Sequence, residues 1–218
     1  MTSDGGMDPR AQAQAAVRAL RGRIDRLGDD AIDLILGDAR SHYAWSDRPV
    51  SDEMLREIFD ITIQGPTSMN TCPARFVFVR SDAAKERLAK ALKPANVPKM
   101  MGAPVTAIIA WDPAFWERLD FLFPHDDRKH LFEGKDAFIH ATAFRNSTLQ
   151  GAYFMIAARA MGLDVGAMSG FSNADVDAEF FAESGWKSNF LCNIGYADES
   201  ALFQKLPRFD FDDICKIV

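Results

Sequence analysis

Apolar residues fall three or four positions apart at Val17, Leu20, Ile24 and Leu27, so residues 10–27 are predicted to form an amphipathic helix. A second helix is predicted over residues 30–39. A third opens at Ser51, whose hydroxyl can cap it ahead of Asp52 and Glu53, and it stops at Gly65-Pro66. The β-rich run at residues 75–79 predicts a strand, Ser81 caps a charged helix to Leu92, and the apolar run at residues 105–111 predicts a buried strand. Residues 138–161 form the longest predicted helix, rich in alanine and closed by Gly162 as a left-handed cap. A short extended piece at residues 166–170, a helix opened by Asn173 and a strand at residues 189–196 follow. Residues 120–135 are the one long polar connection, the kind of segment that walls or covers a site. Helices dominate four or five strands, which predicts a three-layer α+β fold with the sheet between helices.

Composition narrows the class. The 218 residues are 48% hydrophobic and 26% charged, enough to build a packed core and outside the range of disordered chains. Lysine and arginine number 25 against 31 acids, a net charge of −6, and no long basic run follows the opening helix, which argues against a nucleic-acid partner. That helix carries five arginines against one aspartate; an accessory helix is favoured over a membrane-surface or targeting role, because it offers few bulky apolar residues. The longest apolar stretch is about a third of the roughly 20 residues a membrane span needs, and residues 1–9 lead into no apolar signal region. No membrane partner is expected. Cys72, Cys192 and Cys215 are too few and too far apart for a disulfide framework, so a reducing, cytoplasmic location fits.

Candidate chemistry is spread along the chain. The loop from Gly65 to Arg75 packs two prolines, three hydroxyls and Asn70 into eleven residues, and Asn70 can offer a donor and an acceptor to a planar heterocycle. It could equally be a turn linking two elements. Arg40 and Ser41 could hold a phosphate, as could Lys205 and Arg208 near the C-terminus, although each pair alone reads as surface. Residues 166–170 place serine fourth and so miss the nucleophile-elbow pattern, and no phosphate-cradling glycine motif occurs. His125, Asp126, Asp127, His130 and His140 lack a metal-ligand spacing, so no metal is expected. Cys72 reads as a quiet packed thiol.

Taken in order, residues 38–42, 65–79, 103–108, 122–125, 143–147, 168–171 and 187–189 resemble the nitroreductase family of FMN proteins, and the match runs from about Asp33 to Arg208. Within that family the resemblance leans to the malonic semialdehyde reductases of Rut-type pyrimidine degradation. The resemblance implies a three-layer α/β/α fold, a central mostly antiparallel sheet and an intertwined homodimer with FMN at the subunit interface. Residues 1–29 would be a partly helical accessory segment and residues 30–218 the FMN-binding domain. It implies that Arg40, Ser41 and His42 hold the FMN phosphate and near ring edge, and that Pro66, Thr67, Ser68 and Asn70 lie along the isoalloxazine. Met168, Ser169 and Gly170 would form the turn whose backbone approaches N5 and O4, and Arg208 with Lys205 would add cations at the phosphate. Phe123, His125 and Arg145 are the expected substrate-pocket residues, with His42, Arg128 and Lys129 as further cations for a short anionic substrate. The implied activity is ping-pong transfer of hydride from NADPH or NADH through flavin N5. Malonic semialdehyde, going to 3-hydroxypropionate, is the narrow substrate implied; a broad nitroaromatic or quinone reductase and a non-catalytic flavin-binding module are the alternatives. Two departures stand out: Cys72-Pro73-Ala74-Arg75 replaces the usual Gln-Pro-Trp, and Ala44 or Trp45 falls where a second basic residue often follows.

Overall fold

The computed structural model describes residues 8–218, so residues 1–7, the start of the expected accessory segment, lie outside the described residues. The chain divides into two compact units, one ending at Ala39 and the other running from Arg40 to Val218. In the first, α1 spans Pro9–Arg23, with Asp8 accepting from the Arg10 N–H and proline at the first turn. It stops short of the expected Leu27, because Ile24 turns to extended backbone just after Gly22. Helix α2, Asp29–Ile32, continues into a π-helical turn at Asp33–Gly37, where the N–H groups of Asp38 and Ala39 both reach Asp33 O.

The second unit is built on four antiparallel strands: β1 (Ala74–Val79), β2 (Val105–Trp111), β3 (Asp164–Met168) and β4 (Lys187–Gly195), in the order β1-β2-β4-β3. Every residue of β2 is buried, because it is an inner strand covered on both faces. Side chains alternate across it. Val105, Ala107 and Ile109 face α3 (Asp52–Thr62) and α7 (Asp136–Ala160) in one core, with Leu55, Ile58, Phe154 and Ala157. Ile108 and Ala110 face the other core with Leu88, Met100, Val176 and Phe181, from α4 (Asp82–Ala89), α5 (Val97–Met101), α8 (Asn173–Phe180) and the turn after it. The expected three layers and mostly antiparallel sheet are therefore present.

Helix starts follow their hydroxyls. Ser51 accepts from Met54 N–H and Ser81 from Ala84 N–H, as expected; α8 is capped by Ser172, one residue before the expected Asn173, which instead donates to Ser188. The pairing of β2 with β4 shifts register between Ile109 and Ala110, leaving Asn189 as the extra residue, and its amide donates to Ser147 and Thr148 on α7. Short helices α6 (Leu119–Leu122) and α9 (Phe211–Ile214) complete the unit. Among the described residues, no helix is long and apolar enough to cross a membrane.

Candidate functional site

Residues 41–46 run as a strap along the open side of β3. Ser41 bridges Val165 in parallel, and His42 N–H donates to Val165 O at 2.9 Å. The strap continues past the end of β4, where Trp45 bridges Ala197 and Ser46 N–H donates to Tyr196 O at 2.8 Å. Gly166 allows this close approach, since a Cβ there would lie 2.4 Å from His42 O. Two sequence-selected groups are thereby joined: Arg40-Ser41-His42 lies beside the strand that leads into Met168-Ser169-Gly170. Ser41 and Ser169 are exposed, Arg40, Met168 and Gly170 half-buried, and His42 buried.

The turn after β3 is held rigidly. Gly170 O accepts from Lys93 N–H at 2.9 Å and from the Asn96 amide at 3.2 Å, while Ser169 O accepts from Phe171 N–H at 3.1 Å. With the Ser169 carbonyl committed to that turn, the Gly170 N–H points the opposite way across a trans peptide.

The loop between α3 and β1 is shaped by α7. Asn146 Oδ1 accepts from Ser68 N–H at 2.8 Å, Gln150 Oε1 accepts from Ala74 N–H at 2.9 Å, and the Tyr153 hydroxyl donates to Pro66 O at 3.0 Å. These anchors hold an unusual backbone, with Met69, Asn70 and Cys72 at φ of 49°, 51° and 40°. Pro66, Ser68 and Asn70 are exposed and Thr67 half-buried. Asn70 Nδ2 donates to Leu122 O at 2.9 Å, and Met69 packs with Phe123 against the cluster of Trp111, Phe115, Leu119 and Phe132. The 65–74 loop and the start of the 120–135 segment are thus one surface.

On that segment the rings of Phe123 and His125 lie 3.9 Å apart between centroids. Two of its cations are matched to acids: Arg128 Nη2 is 2.5 Å from Asp126 and Lys129 Nζ is 3.3 Å from Asp120, whose carboxyl the Lys129 hydrogen bond holds below its ordinary value. Arg145 is exposed on α7 next to the loop anchor Asn146. Lys205 and Arg208 lie in the exposed C-terminal arm, where Arg208 Nη1 donates to Leu206 O and Pro207 O. Among the described residues, no hydrogen bond joins Arg208 to the strap. Among the described residues there is no cluster of three or more metal-ligating side chains.

Beneath the strap lies a charged network that sequence reasoning missed. His42 Nε2 is 3.2 Å from Asp164 Oδ1, Asp164 Oδ2 accepts from Ala197 N–H at 3.0 Å, and Arg159 Nη2 donates to Arg40 O at 3.0 Å. Burial pulls the Arg159 guanidinium below its ordinary value and pushes the neighbouring Cys192 thiol up to about 12. Asn146, Gln150 and Tyr153 were missed as well. A signal existed, because Thr142, Asn146 and Gln150 repeat every fourth residue and place a polar row on one face of an alanine-rich helix.

The strap, the turn after β3 and the loop anchored on α7 are set on one four-stranded antiparallel sheet between helices. The chain matches the nitroreductase family over residues 37–196, and it belongs to that family of oxidoreductases. It is 56% identical over 191 residues to a Burkholderia lata protein provisionally named NADH dehydrogenase/NAD(P)H nitroreductase, covering 88% of this chain and 98% of the relative. It also superposes on a provisionally named nitroreductase from Exiguobacterium sibiricum, solved in complex with FMN, with a TM-score of 0.78 and 19% identity, covering 88% and 99% of the two chains. A provisionally named NAD(P)H:FMN oxidoreductase from Staphylococcus epidermidis superposes with a TM-score of 0.76 and 18% identity, covering 88% and 97%.

Proposed function

We propose that this protein is an FMN-dependent NAD(P)H oxidoreductase that works as a homodimer, with residues 30–218 as the FMN-binding domain and 1–29 as an accessory segment. The observation that carries the reading is the strap on β3, which sets Arg40 and Ser41 beside the strand that leads into Gly170. The donor set suits FMN: a guanidinium and a hydroxyl for the phosphate, the Gly170 N–H for the ring's N5 and O4 edge, and Pro66, Thr67, Ser68 and Asn70 along the ring. Met168 packs against the core of Leu88, Met100 and Leu191, and Lys205 and Arg208 would add positive charge at the phosphate. When bound, FMN supplies the hydride chemistry between NAD(P)H and the acceptor.

The dimer reading is supported by apolar surface that one chain leaves in water. Phe203, Phe209 and Phe211 of the C-terminal arm are 74%, 76% and 59% exposed, and Phe138, Phe144 and Leu149 line the outer side of α7. The free thiols of Cys72, Cys192 and Cys215 suit the cytoplasm.

For the acceptor, we propose malonic semialdehyde, reduced to 3-hydroxypropionate. Of the cations that could meet its carboxylate, His42 is buried on Asp164, and Arg128 and Lys129 are paired with Asp126 and Asp120, whereas exposed Arg145 makes no ion pair among the described residues. Phe123 and His125 would wall the same pocket. A second reading, reduction of nitroaromatics or quinones, is favoured by the name of the Burkholderia relative. Comparing NADPH and NADH oxidation with malonic semialdehyde, a nitroaromatic and a quinone separates the two. Turnover of the semialdehyde no faster than the air-oxidation background, beside rapid quinone reduction, would overturn the narrow assignment and leave the broader one.

A further inference from the structure

His42 sits between residues proposed to hold a phosphate and the strand that supports them, yet its imidazole is 7% exposed and faces inward. The backbone of the strap is attached to β3 at two places, the Ser41 bridge to Val165 and the His42 N–H on Val165 O. Beyond His42 the backbone is tied to the chain leaving β4, where Asp198 N–H donates to Ala44 O and Ser46 N–H to Tyr196 O. Side chains add restraint nearer Arg40 and Ser41. His42 Nε2 meets Asp164 Oδ1, and the other Asp164 oxygen holds Ala197 N–H, so one carboxylate pins the strap to the chain leaving β4. From α7, Arg159 holds Arg40 O, upstream of both backbone attachments. The His42 carbonyl packs where Gly166 lacks a Cβ, which sets the spacing on the remaining side.

We infer that His42, Asp164 and Arg159 are positioning residues, which fix the Arg40-Ser41 backbone in the register that phosphate recognition requires and do not themselves touch the ligand. This rests on the FMN reading above. A bidentate guanidinium contact with a phosphate depends on placement to within a fraction of an ångström, whereas stacking and edge contacts to a flavin ring tolerate more movement. Loosening the network therefore weakens recognition of the phosphate and spares recognition of the ring. Asp164→Asn keeps the shape of the side chain but has one acceptor oxygen for two N–H groups and no charge. His42→Ala removes the contact, while His42→Gln retains an N–H able to reach Asp164.

The experiment compares dissociation constants for FMN and for riboflavin, which has the same ring and no phosphate, by quenching of flavin fluorescence in the full-length protein. Wild type binds FMN more tightly than riboflavin. Asp164→Asn and His42→Ala raise the FMN constant about tenfold and leave the riboflavin constant within about twofold, and His42→Gln recovers most of the FMN affinity. Melting temperatures of the ligand-free proteins are read alongside. An unchanged ratio of the two constants in Asp164→Asn and His42→Ala, or equal weakening of both flavins, would overturn the positioning role while leaving the FMN reading intact. A wild type that binds riboflavin as well as FMN, or neither, would instead overturn the phosphate role of Arg40-Ser41 and the inference with it.

Discussion

Asn146→Ala tests whether α7 sets the shape of the 65–74 loop. Asn146 is 2% exposed and makes two hydrogen bonds of 2.8 Å, accepting from Ser68 N–H and donating to Thr142 O. The bond within α7 is dispensable, because Thr142 O also serves the helix backbone; the bond to Ser68 holds the loop. Losing it costs about 1 kcal/mol net, and the small cavity left behind costs about 1 kcal/mol more. For a protein of this size that total lowers the melting temperature by about 4–8 °C. The ligand effect should be distinct. Met69, Asn70 and Cys72 occupy positive-φ conformations that cost on the order of 1 kcal/mol each, and removing the anchor lets the loop relax away from them. FMN affinity is then expected to fall about tenfold or more. Calorimetry of the ligand-free protein and a fluorescence titration with FMN read the two effects separately. A lowered melting temperature with unchanged FMN affinity would refute the claim that α7 shapes the loop for its ligand.

Gly166→Ala brings a Cβ to 2.4 Å from the His42 carbonyl, a backbone atom that cannot turn aside, so thermal unfolding should show a loss of about 1–3 kcal/mol; an unchanged melting temperature would mean that the strap is not seated on β3. Cys192, with its thiol pushed up to about 12 from 9.0, should resist thiol reagents in the native protein while Cys72 and Cys215 react, and labelling of all three before unfolding would contradict its burial. The same shift means that native Cys192 keeps a proton the unfolded chain releases, so its contribution to stability is complete below pH 9 and declines as pH rises towards 12. Arg145→Met should raise KM for malonic semialdehyde about tenfold and leave KM for an uncharged quinone unchanged; equal effects on both would remove Arg145 from carboxylate recognition. Substituting Ser for both Phe209 and Phe211 should shift sedimentation of the protein from dimer towards monomer, and an unaltered profile would exclude the arm from the interface.

Much of the fold was legible because local signals and burial agree. Ser51 and Ser81 mark their helices to the residue, the seven residues of β2, six of them apolar, read as a buried strand, and Gly162 closes α7 at φ of 79°. Boundaries slipped where a signal is shared between neighbours. Ser172 rather than Asn173 caps α8, since both can cap and Asn173 is drawn to Ser188 across the fold. The candidate site was legible as a set of motifs and not as contacts. Ser41 and Ser169 are exposed, but nothing local says that the neighbouring His42 turns inward to a carboxylate more than a hundred residues away. Asp164 opens a strand where an acid is ordinarily solvent-facing, and Arg159 looks like a routine cation at a helix C-terminus. Their pairing is a product of chain topology. The polar row on α7 was visible in its spacing, but its partner is the backbone of the 65–74 loop, which carries no side-chain signature at Ser68 N–H or Ala74 N–H.

The central claim, an NAD(P)H oxidoreductase built on FMN, is met most directly by titrating the purified full-length protein with FMN and then adding NADPH or NADH without oxygen. One FMN should bind per chain, its yellow absorbance should bleach on addition of the nicotinamide, and the colour should return when acceptor is supplied. Failure to form a stoichiometric FMN complex would contradict the account at its root, and a bound flavin that neither nicotinamide can reduce would make the protein a flavin-binding module instead of an enzyme.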